Sequence, residues 1–154
     1  PRANALKDFS FDRNFADFLR LLNFHKVEYM LVGGYAVGYH GYPRATGDMD
    51  IWVAVNDANA AKVVAVMGDF GMPKEALSKE LFLEKNKIIR MGVPPVRVEV
   101  ITGASGVEFD ECYKRCDIVE INDLVVKIIS LNDLKLNKRA AGRHKDLDDI
   151  EHIP

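Results

Sequence analysis

The sequence predicts an α+β domain in which a mixed β-sheet of about five or six strands is packed by helices. Three observations carry this prediction: apolar stripes at helical spacing, short runs rich in Val and Ile, and the mixed order of the two along a chain without repeats. The chain has 154 residues, 48% of them apolar, which is enough to bury one core. We therefore expect residues 1–154 to form a single domain.

The first half of the chain alternates helical and extended patterns. Its first apolar stripe recurs at three- and four-residue intervals, as in an amphipathic helix. Alternating apolar residues after Asp48 indicate a strand. The predicted elements are a helix over 11–23, a strand over 27–32, the pair Gly33 and Gly34, a short helix over 35–40, a loop over 41–47, a strand over 48–55 and a helix from Asn56 or Asp57 to Gly71.

The second half contains two predicted strand pairs and ends in helices. Asn122 and Asp123 favour a tight turn between two strands, and Ser130 with Asp133 resembles a capping box at a helix start. The predicted elements are a helical turn over 78–83, paired strands over 87–91 and 96–101, a short helix over 107–113, a hairpin over 117–121 and 124–129, and helices over 130–140 and 145–153.

Overall charge and hydropathy argue against several classes of protein. A formal net charge of −2 gives no general attraction for nucleic acid, so any RNA contact has to be local. No apolar run reaches the length of a membrane span, and the N-terminal stretch lacks a signal-peptide core, so we expect a cytoplasmic protein with no membrane contact. Cys112 and Cys116 lack further zinc ligands nearby, and we expect two reduced thiols.

Asp48 and Asp50 stand at the start of a predicted strand. Successive strand side chains point to opposite faces, so both aspartates share one face while Met49 and Ile51 share the other. Their Cα atoms would lie roughly 6.6 Å apart, which lets the carboxylates converge on a pair of metal ions. Such like charges repel unless cations neutralise them, and Mg²⁺ prefers these oxygens. The open alternative is a pair of solvated charges at a strand edge.

Glu99 interrupts a run of valines on the strand predicted over 96–101. Arg97 and Glu99 share the face opposite Val98 and Val100, so Glu99 has the parity of a third carboxylate on an open face. An ion pair with Arg97 on a solvent-facing strand explains the same pattern equally well. Both interpretations are open at this point.

The pair Gly33 and Gly34 ends one predicted strand and opens a helix. Bare backbone amides and the positive end of the helix dipole can receive a triphosphate at such a place. A tight strand-to-helix turn that binds nothing explains the same two glycines.

The segment LVGGYAVGYHGYPRATGDMDIWV resembles the active-site signature of the polymerase-β-type nucleotidyltransferase superfamily. That signature is an apolar strand, a glycine pair, a spacer, and Asp-x-Asp between apolar residues. The segments VRVEVITGASGVEF and NKRAAGRHKDLDDIEHI, with the spacing of Arg44, Thr46, Asp48 and Asp50, resemble minimal bacterial nucleotidyltransferases related to AbiEii-type toxins and MNT-type antitoxins. The resemblance covers most of the chain from about Val27 onward and implies a nucleotidyltransferase fold.

The resemblance also implies roles for the motif residues. Asp48, Asp50 and Glu99 would be the catalytic carboxylates and would bind Mg²⁺, with two ions expected. Gly33 and Gly34 would hold the nucleotide phosphates. The third carboxylate is usually aspartate in this family, so Glu99 is a departure that extends the carboxylate by one methylene.

Further polar residues are candidates for nucleotide binding. Arg44 and Thr46 lie in the loop before the aspartates, where they can brace the loop or touch phosphate. The C-terminal segment brings cations to an anionic substrate, as in related enzymes, or forms a solvated helix face. Its polar candidates are Lys138, Arg139, Arg143, Lys145 and Asp146, of which we assign Lys138 and Lys145 to the nucleotide.

Three aromatic residues near these motifs receive a structural interpretation. His40 and His144 are interpreted as structural rather than substrate-binding. Trp52 shares the face of Asp50 and is open to stacking on a base, but we favour burial beneath the C-terminal helices.

The resemblance implies transfer of a nucleoside monophosphate from a nucleoside triphosphate, such as ATP, to an acceptor hydroxyl. The acceptor would attack the α-phosphorus, pyrophosphate would leave, and Glu99 would ease proton loss. The implied acceptors are tRNA, a hydroxyl of a partner toxin or antitoxin protein, or a small molecule, with a homodimer as one way to complete the acceptor site. The alternative is a noncatalytic module of the same fold that binds a nucleotide or a toxin.

Overall fold

The computed structural model describes residues 11–93 and 96–154. The helices of this part are α1 Arg13–Phe24, α2 Gly33–Tyr39, α3 Asp57–Asp69, α4 Phe109–Lys114, α5 Leu131–Ala141 and α6 His144–His152. The strands are β1 Tyr29–Val32, β2 Asp48–Val53, β3 Ile88–Met91, β4 Arg97–Ile101, β5 Asp117–Ile121 and β6 Leu124–Ile128. Two short 3₁₀ helices, Lys74–Ala76 and Lys79–Phe82, lie between α3 and β3.

Every helix and strand predicted from the sequence is present, and the differences lie at the ends. The helix predicted over 35–40 begins earlier, so Gly33 and Gly34 belong to its first turn. The strand predicted over 48–55 ends at Val53, and Asn56 caps α3 by accepting a hydrogen bond from the backbone N–H of Asn59.

The six strands form one mixed sheet in the order β3-β4-β2-β1-β6-β5. β2 pairs antiparallel with β1 and parallel with β4. β3 and β4 are antiparallel, as are β5 and β6, while β1 and β6 are parallel. The predicted α+β class with a mixed sheet is therefore confirmed. Asp50 of β2 is paired with both neighbouring strands, whereas Asp48 is paired with β4 alone.

One hydrophobic core lies against the face of β2 that carries Met49 and Ile51. The predicted stripe of α1 is buried in it, and all of β1 is buried as well. Fully burying each large apolar side chain of this kind contributes about 1.5–3 kcal/mol. Because the apolar residues of β2 take this face, its two aspartates lie on the other.

The C-terminal helices α5 and α6 pack against each other. Ser130 caps α5 by accepting a hydrogen bond from the backbone N–H of Asp133, and α5 ends at Gly142 in the left-handed conformation. The tight turn after Gly142 brings α6 back along α5. No helix among the described residues is both long and apolar enough to cross a bilayer.

Candidate active site

The carboxylates of Asp48, Asp50 and Glu99 lie together on the open face of the sheet. In the parallel pairing of β2 with β4, Asp50 stands opposite Glu99 and Asp48 opposite Arg97. Residues directly opposite each other project from the same face, and the buried Val98 and Val100 occupy the other face of β4. The structure therefore brings together the three acidic residues that the sequence singles out.

Asp50 is the most deeply placed of the three carboxylates. Its Oδ1 is buried and has no hydrogen-bond partner among the described residues. Burial, followed by the negative charges of Glu99 and Asp48, raises the pKa of Asp50 to about 7, while Lys138 and Lys145 lower it. An unpaired buried oxygen is costly unless it gains a proton or a cation.

Asp48 and Glu99 are covered by arginines. The Nε and Nη2 of Arg97 donate to the two carboxylate oxygens of Asp48, each at 2.8 Å. This hydrogen bonding is the main reason that the pKa of Asp48 is lowered. Glu99 Oε1 lies 3.3 Å from Nε of Arg90 and 3.4 Å from Nη2 of Arg97. Both interpretations left open for Glu99 thus describe part of the geometry: it faces the carboxylate cluster and it is ion-paired.

The glycine pair lies directly against the side chains of Asp50 and Thr46. Gly33 has φ of +66°, and a Cβ there would overlap the Asp50 carboxylate. A Cβ on Gly34 would lie 2.7 Å from Oγ1 of Thr46. Only glycine allows α2 to begin this close to both side chains.

Arg44 and Thr46 hold the loop that precedes β2. Arg44 donates two hydrogen bonds, each 2.8 Å long, to the two carboxylate oxygens of Asp149 on α6. Thr46 Oγ1 donates to the backbone oxygen of Asp48 at 3.3 Å. Both residues also line the cleft that contains the three carboxylates. Their predicted contact with phosphate is compatible with this position and stays a prediction.

Lys138 belongs to a buried ion network rather than to a solvated helix face. Its Nζ lies 3.2 Å from Oδ1 of Asp146 and 3.0 Å from Oδ2 of Asp149. Arg143 adds a contact of 2.7 Å to Asp146. Burial alone would raise the pKa of both aspartates. Hydrogen bonds from Arg143 and Lys138 outweigh it for Asp146, those from Arg44 and Lys138 outweigh it for Asp149, and both pKa values are lowered. The network ties the loop of Arg44 to the C-terminal helices.

Lys145 has an exposed side chain, whereas that of Lys138 is buried. It lines the cleft and has no hydrogen-bond or ion-pair partner among the described residues. Arg139 is also exposed, and His144 begins α6 at the surface.

These side chains surround one cleft of about 630 Å³. The carboxylates lie on its sheet side and the glycine pair lines the same cleft. The basic side chains that line the cleft are Arg44, Arg90, Arg97, Lys138, Arg143 and Lys145. A cleft with this charge distribution is suited to an anionic ligand that carries its own cations.

Trp52 and His40 have structural surroundings. Trp52 is buried, with its ring edge against Phe109 of α4 at a centroid distance of 5.3 Å. His40 is buried, and its Nε2 lies 2.7 Å from the backbone oxygen of Ile129. Cys112 is buried and Cys116 half-buried, and both are free thiols.

Two residues of the site were not singled out by the sequence. Arg90 reaches Glu99 from β3, and its signal was a lone cation in an otherwise apolar strand. Asp149 anchors both Arg44 and Lys138, and its signal was its position one helical turn after Asp146.

The donor set fits a divalent cation with hard oxygen ligands. The three carboxylates project from the same face of the sheet into one cleft, and the unpartnered Oδ1 of Asp50 is a ligand atom without a competing hydrogen bond. Mg²⁺ is usually held by one or two carboxylates together with substrate phosphates. Asp50, with Asp48 and Glu99 beside it, is suited to that role.

The close approach of Gly33 to Asp50 gives a first prediction. Gly33→Ala should lower the free energy of unfolding by about 2–4 kcal/mol, because the added methyl group meets the Asp50 carboxylate in addition to a strained backbone. Gly142→Ala is the matched control: its φ is also +66°, but its nearest neighbour lies 3.6 Å away. We expect the control to cost only about 1 kcal/mol in denaturant unfolding. Equal losses in the two variants would show that the contact with Asp50 carries no energy.

Solved structures that share this fold include two nucleotidyltransferase-like proteins. A candidate nucleotidyltransferase from Thermotoga maritima matches with a TM-score of 0.61 and 17% identity, over 90% of this chain and 89% of that one. An antigenic nucleotidyltransferase-like protein from Paracoccidioides brasiliensis matches with a TM-score of 0.54 and 19% identity, over 89% of this chain and 72% of that one. No protein-family model and no curated protein matches the sequence. This chain has the nucleotidyltransferase fold, as its sequence resemblance predicts.

Proposed function

We propose that this chain is a Mg²⁺-dependent nucleotidyltransferase that moves a nucleoside monophosphate from a nucleoside triphosphate to an acceptor hydroxyl. One observation carries the proposal: Asp48, Asp50 and Glu99 line one cleft together with several cations, and Asp50 has an unpartnered oxygen. The shared fold and the sequence resemblance support the same class of enzyme.

Different residues of the cleft would bind the nucleotide, hold the metal ions and accept the proton. Gly33 and Gly34 would offer backbone amides to the phosphates at the start of α2, and Lys145 offers a cation without a hydrogen-bond or ion-pair partner among the described residues. Asp48, Asp50 and Glu99 would hold up to two Mg²⁺ ions, which when bound offset the charge developing on the phosphate and leaving group. Glu99 would accept the proton of the acceptor hydroxyl.

The acceptor and setting follow from the resemblance to AbiEii-type and MNT-type proteins. That resemblance supports a tRNA end, a hydroxyl of a partner toxin or antitoxin, or a small molecule as the acceptor, with a role in a toxin–antitoxin system inside the cytoplasm. The described part of the chain forms one sheet and one core, so a partner protein or a second copy of the chain would complete the acceptor site.

A second candidate function is a noncatalytic module that binds a nucleotide or a toxin. The observation that favours it is the ion pairing of Arg97 with Asp48 and of Arg90 with Glu99, which neutralises two of the three carboxylates without metal. Glu99, which is longer than the aspartate usual in the family, also favours a noncatalytic module.

Glu99 separates the two functions by experiment. We expect the purified protein to transfer label from an α-labelled triphosphate, in the presence of Mg²⁺, to total tRNA or to a co-purified protein. Glu99→Gln should lower turnover by about 10²-fold or more while nucleotide affinity changes little, because the carboxylate acts in the transition state. Glu99→Asp should preserve or improve turnover.

The matched control is Glu84→Gln, which makes the same change at an exposed residue just before β3. Turnover that is indifferent to Glu99→Gln would reject the role of Glu99. The absence of transfer with every triphosphate and acceptor would favour the noncatalytic module.

A further inference from the structure

The three carboxylates of the cleft differ in the partners that already bind their oxygens. One guanidinium, that of Arg97, occupies both oxygens of Asp48 in a two-bond fork, with both contacts at 2.8 Å. The same side chain lies 3.4 Å from Glu99. By contrast, Oδ1 of Asp50 accepts no hydrogen bond from any described residue. A cation in the cleft therefore has one carboxylate oxygen without a hydrogen-bond partner, the buried Oδ1 of Asp50, and one carboxylate, that of Asp48, whose two oxygens are already bound by Arg97.

Arg97 and a divalent cation compete for the same oxygens. A metal ion bound by Asp48 would have to take at least one lone pair that Arg97 now uses, and the two positive charges would repel each other at close range. The fork of an arginine matches a carboxylate in geometry, so the pair is stronger than a contact with a lysine would be.

The side chain of Arg97 is partly exposed to the cleft. About 30% of its side chain is exposed, and it lines the same cleft as the glycine pair and Lys145. A guanidinium binds phosphate oxygens with the same two-bond geometry that it uses for a carboxylate. A triphosphate in the cleft would therefore offer Arg97 an equivalent partner within reach of its side chain.

We infer that Arg97 is a switch that covers Asp48 in the free protein and turns to the triphosphate when the donor nucleotide enters. Its departure frees both oxygens of Asp48 for a second cation. This inference rests on the proposed function, since it needs a triphosphate and a metal ion in the same cleft. It makes their binding mutually dependent: each raises the affinity for the other by the same factor.

Binding of Mn²⁺ to the free protein, followed by electron paramagnetic resonance, tests the competition without any reaction. We expect one ion to bind the wild type tightly and Arg97→Gln to bind a second ion at least about tenfold more tightly than the wild type does. Arg97→Lys should show much of this gain, because it keeps the charge but loses the fork. Arg90→Gln is the control, since it removes a cation near the carboxylates but leaves Asp48 covered.

The second arm adds a triphosphate with a methylene bridge between its α and β phosphorus atoms. This analogue should tighten binding of the second Mn²⁺ ion about tenfold or more in the wild type and in Arg90→Gln, and much less in Arg97→Gln. Thermal unfolding of each variant establishes that it is folded.

Two results would overturn the switch. One is a second Mn²⁺ affinity that Arg97→Gln and Arg90→Gln change equally, which would reduce the effect to general charge. The other is nucleotide coupling that persists undiminished in Arg97→Gln. If the analogue binds none of the proteins while Arg97→Gln alone tightens Mn²⁺ binding, the competition at Asp48 stands and the proposed nucleotidyltransferase function fails.

Discussion

Asp50→Asn is expected to abolish nucleotidyl transfer and, at the same time, to stabilise the metal-free protein. Transfer should fall by about 10³-fold or more, because under the proposed function Asp50, whose buried Oδ1 has no hydrogen-bond partner among the described residues, would hold the metal ions that act on the reacting groups. Stability should rise because the neutral amide removes a buried charge beside Glu99 and Asp48. Opposite signs for activity and stability distinguish a functional carboxylate from a structural one.

The pH dependence of this stabilisation follows from the raised pKa. Asp50 titrates near pH 7 in the folded protein, against an ordinary value of 3.8, so the folded state holds its proton more tightly than the unfolded state does. The stability that this proton provides is full below about pH 4 and is lost as the pH rises to about 7. A pKa raised by about three units corresponds to a loss of at most about 4 kcal/mol in the free energy of unfolding. The Asp50→Asn variant should escape it.

Denaturant unfolding from pH 4 to pH 8 measures this difference. We expect a gain of about 2 kcal/mol or more for Asp50→Asn at pH 8, and little gain at pH 4. Added Mg²⁺ should stabilise the wild type and leave the variant unchanged, since a ligand stabilises only the state that binds it. Asp17→Asn, at an exposed residue of α1, is the control. A variant that is less stable than the wild type at pH 8 would contradict the assignment.

Lys138→Met should destabilise the protein by about 3 kcal/mol or more. The substitution leaves Asp146 and Asp149 buried, each with one cation fewer. Removing one partner of a buried ion pair is strongly destabilising, because the charge that remains has lost its hydration without an ion pair to offset that cost. Methionine keeps most of the volume and the length of the side chain, so the loss reports charge rather than a cavity.

Arg139→Met is the matched control for Lys138→Met. It removes a cation from the adjacent position of the same helix, but Arg139 is exposed and we expect a change within about 0.5 kcal/mol. The lowered pKa values of Asp146 and Asp149 mean that their ion pairs stabilise the fold above about pH 4 and stop doing so as the pH falls. The difference between Lys138→Met and the wild type should therefore shrink in acid. If the difference in stability between Lys138→Met and the wild type stayed constant across pH, the loss would come from packing rather than from charge.

The sequence by itself determined the elements and the parity of the site. Helical stripes and strand alternation depend on neighbours a few residues apart, so α1, β2 and the β5–β6 hairpin were predictable from local pattern. The same alternation predicted that Asp48 and Asp50 share the face opposite Met49 and Ile51. It also predicted that Glu99 lies on the face opposite Val98 and Val100.

Only the tertiary structure decided which strands are neighbours and which charges meet. The parallel pairing of β2 with β4 puts Asp50 beside Glu99 and Asp48 beside Arg97, and no local pattern specifies that register. Lys138 reads as one cation among several in a helix. Burial between Asp146 and Asp149 makes it part of the frame that holds Arg44 and its loop. Such contacts depend on the packing of segments far apart in the chain, because the free energy of a charge is set by the burial and the partners that the whole fold gives it.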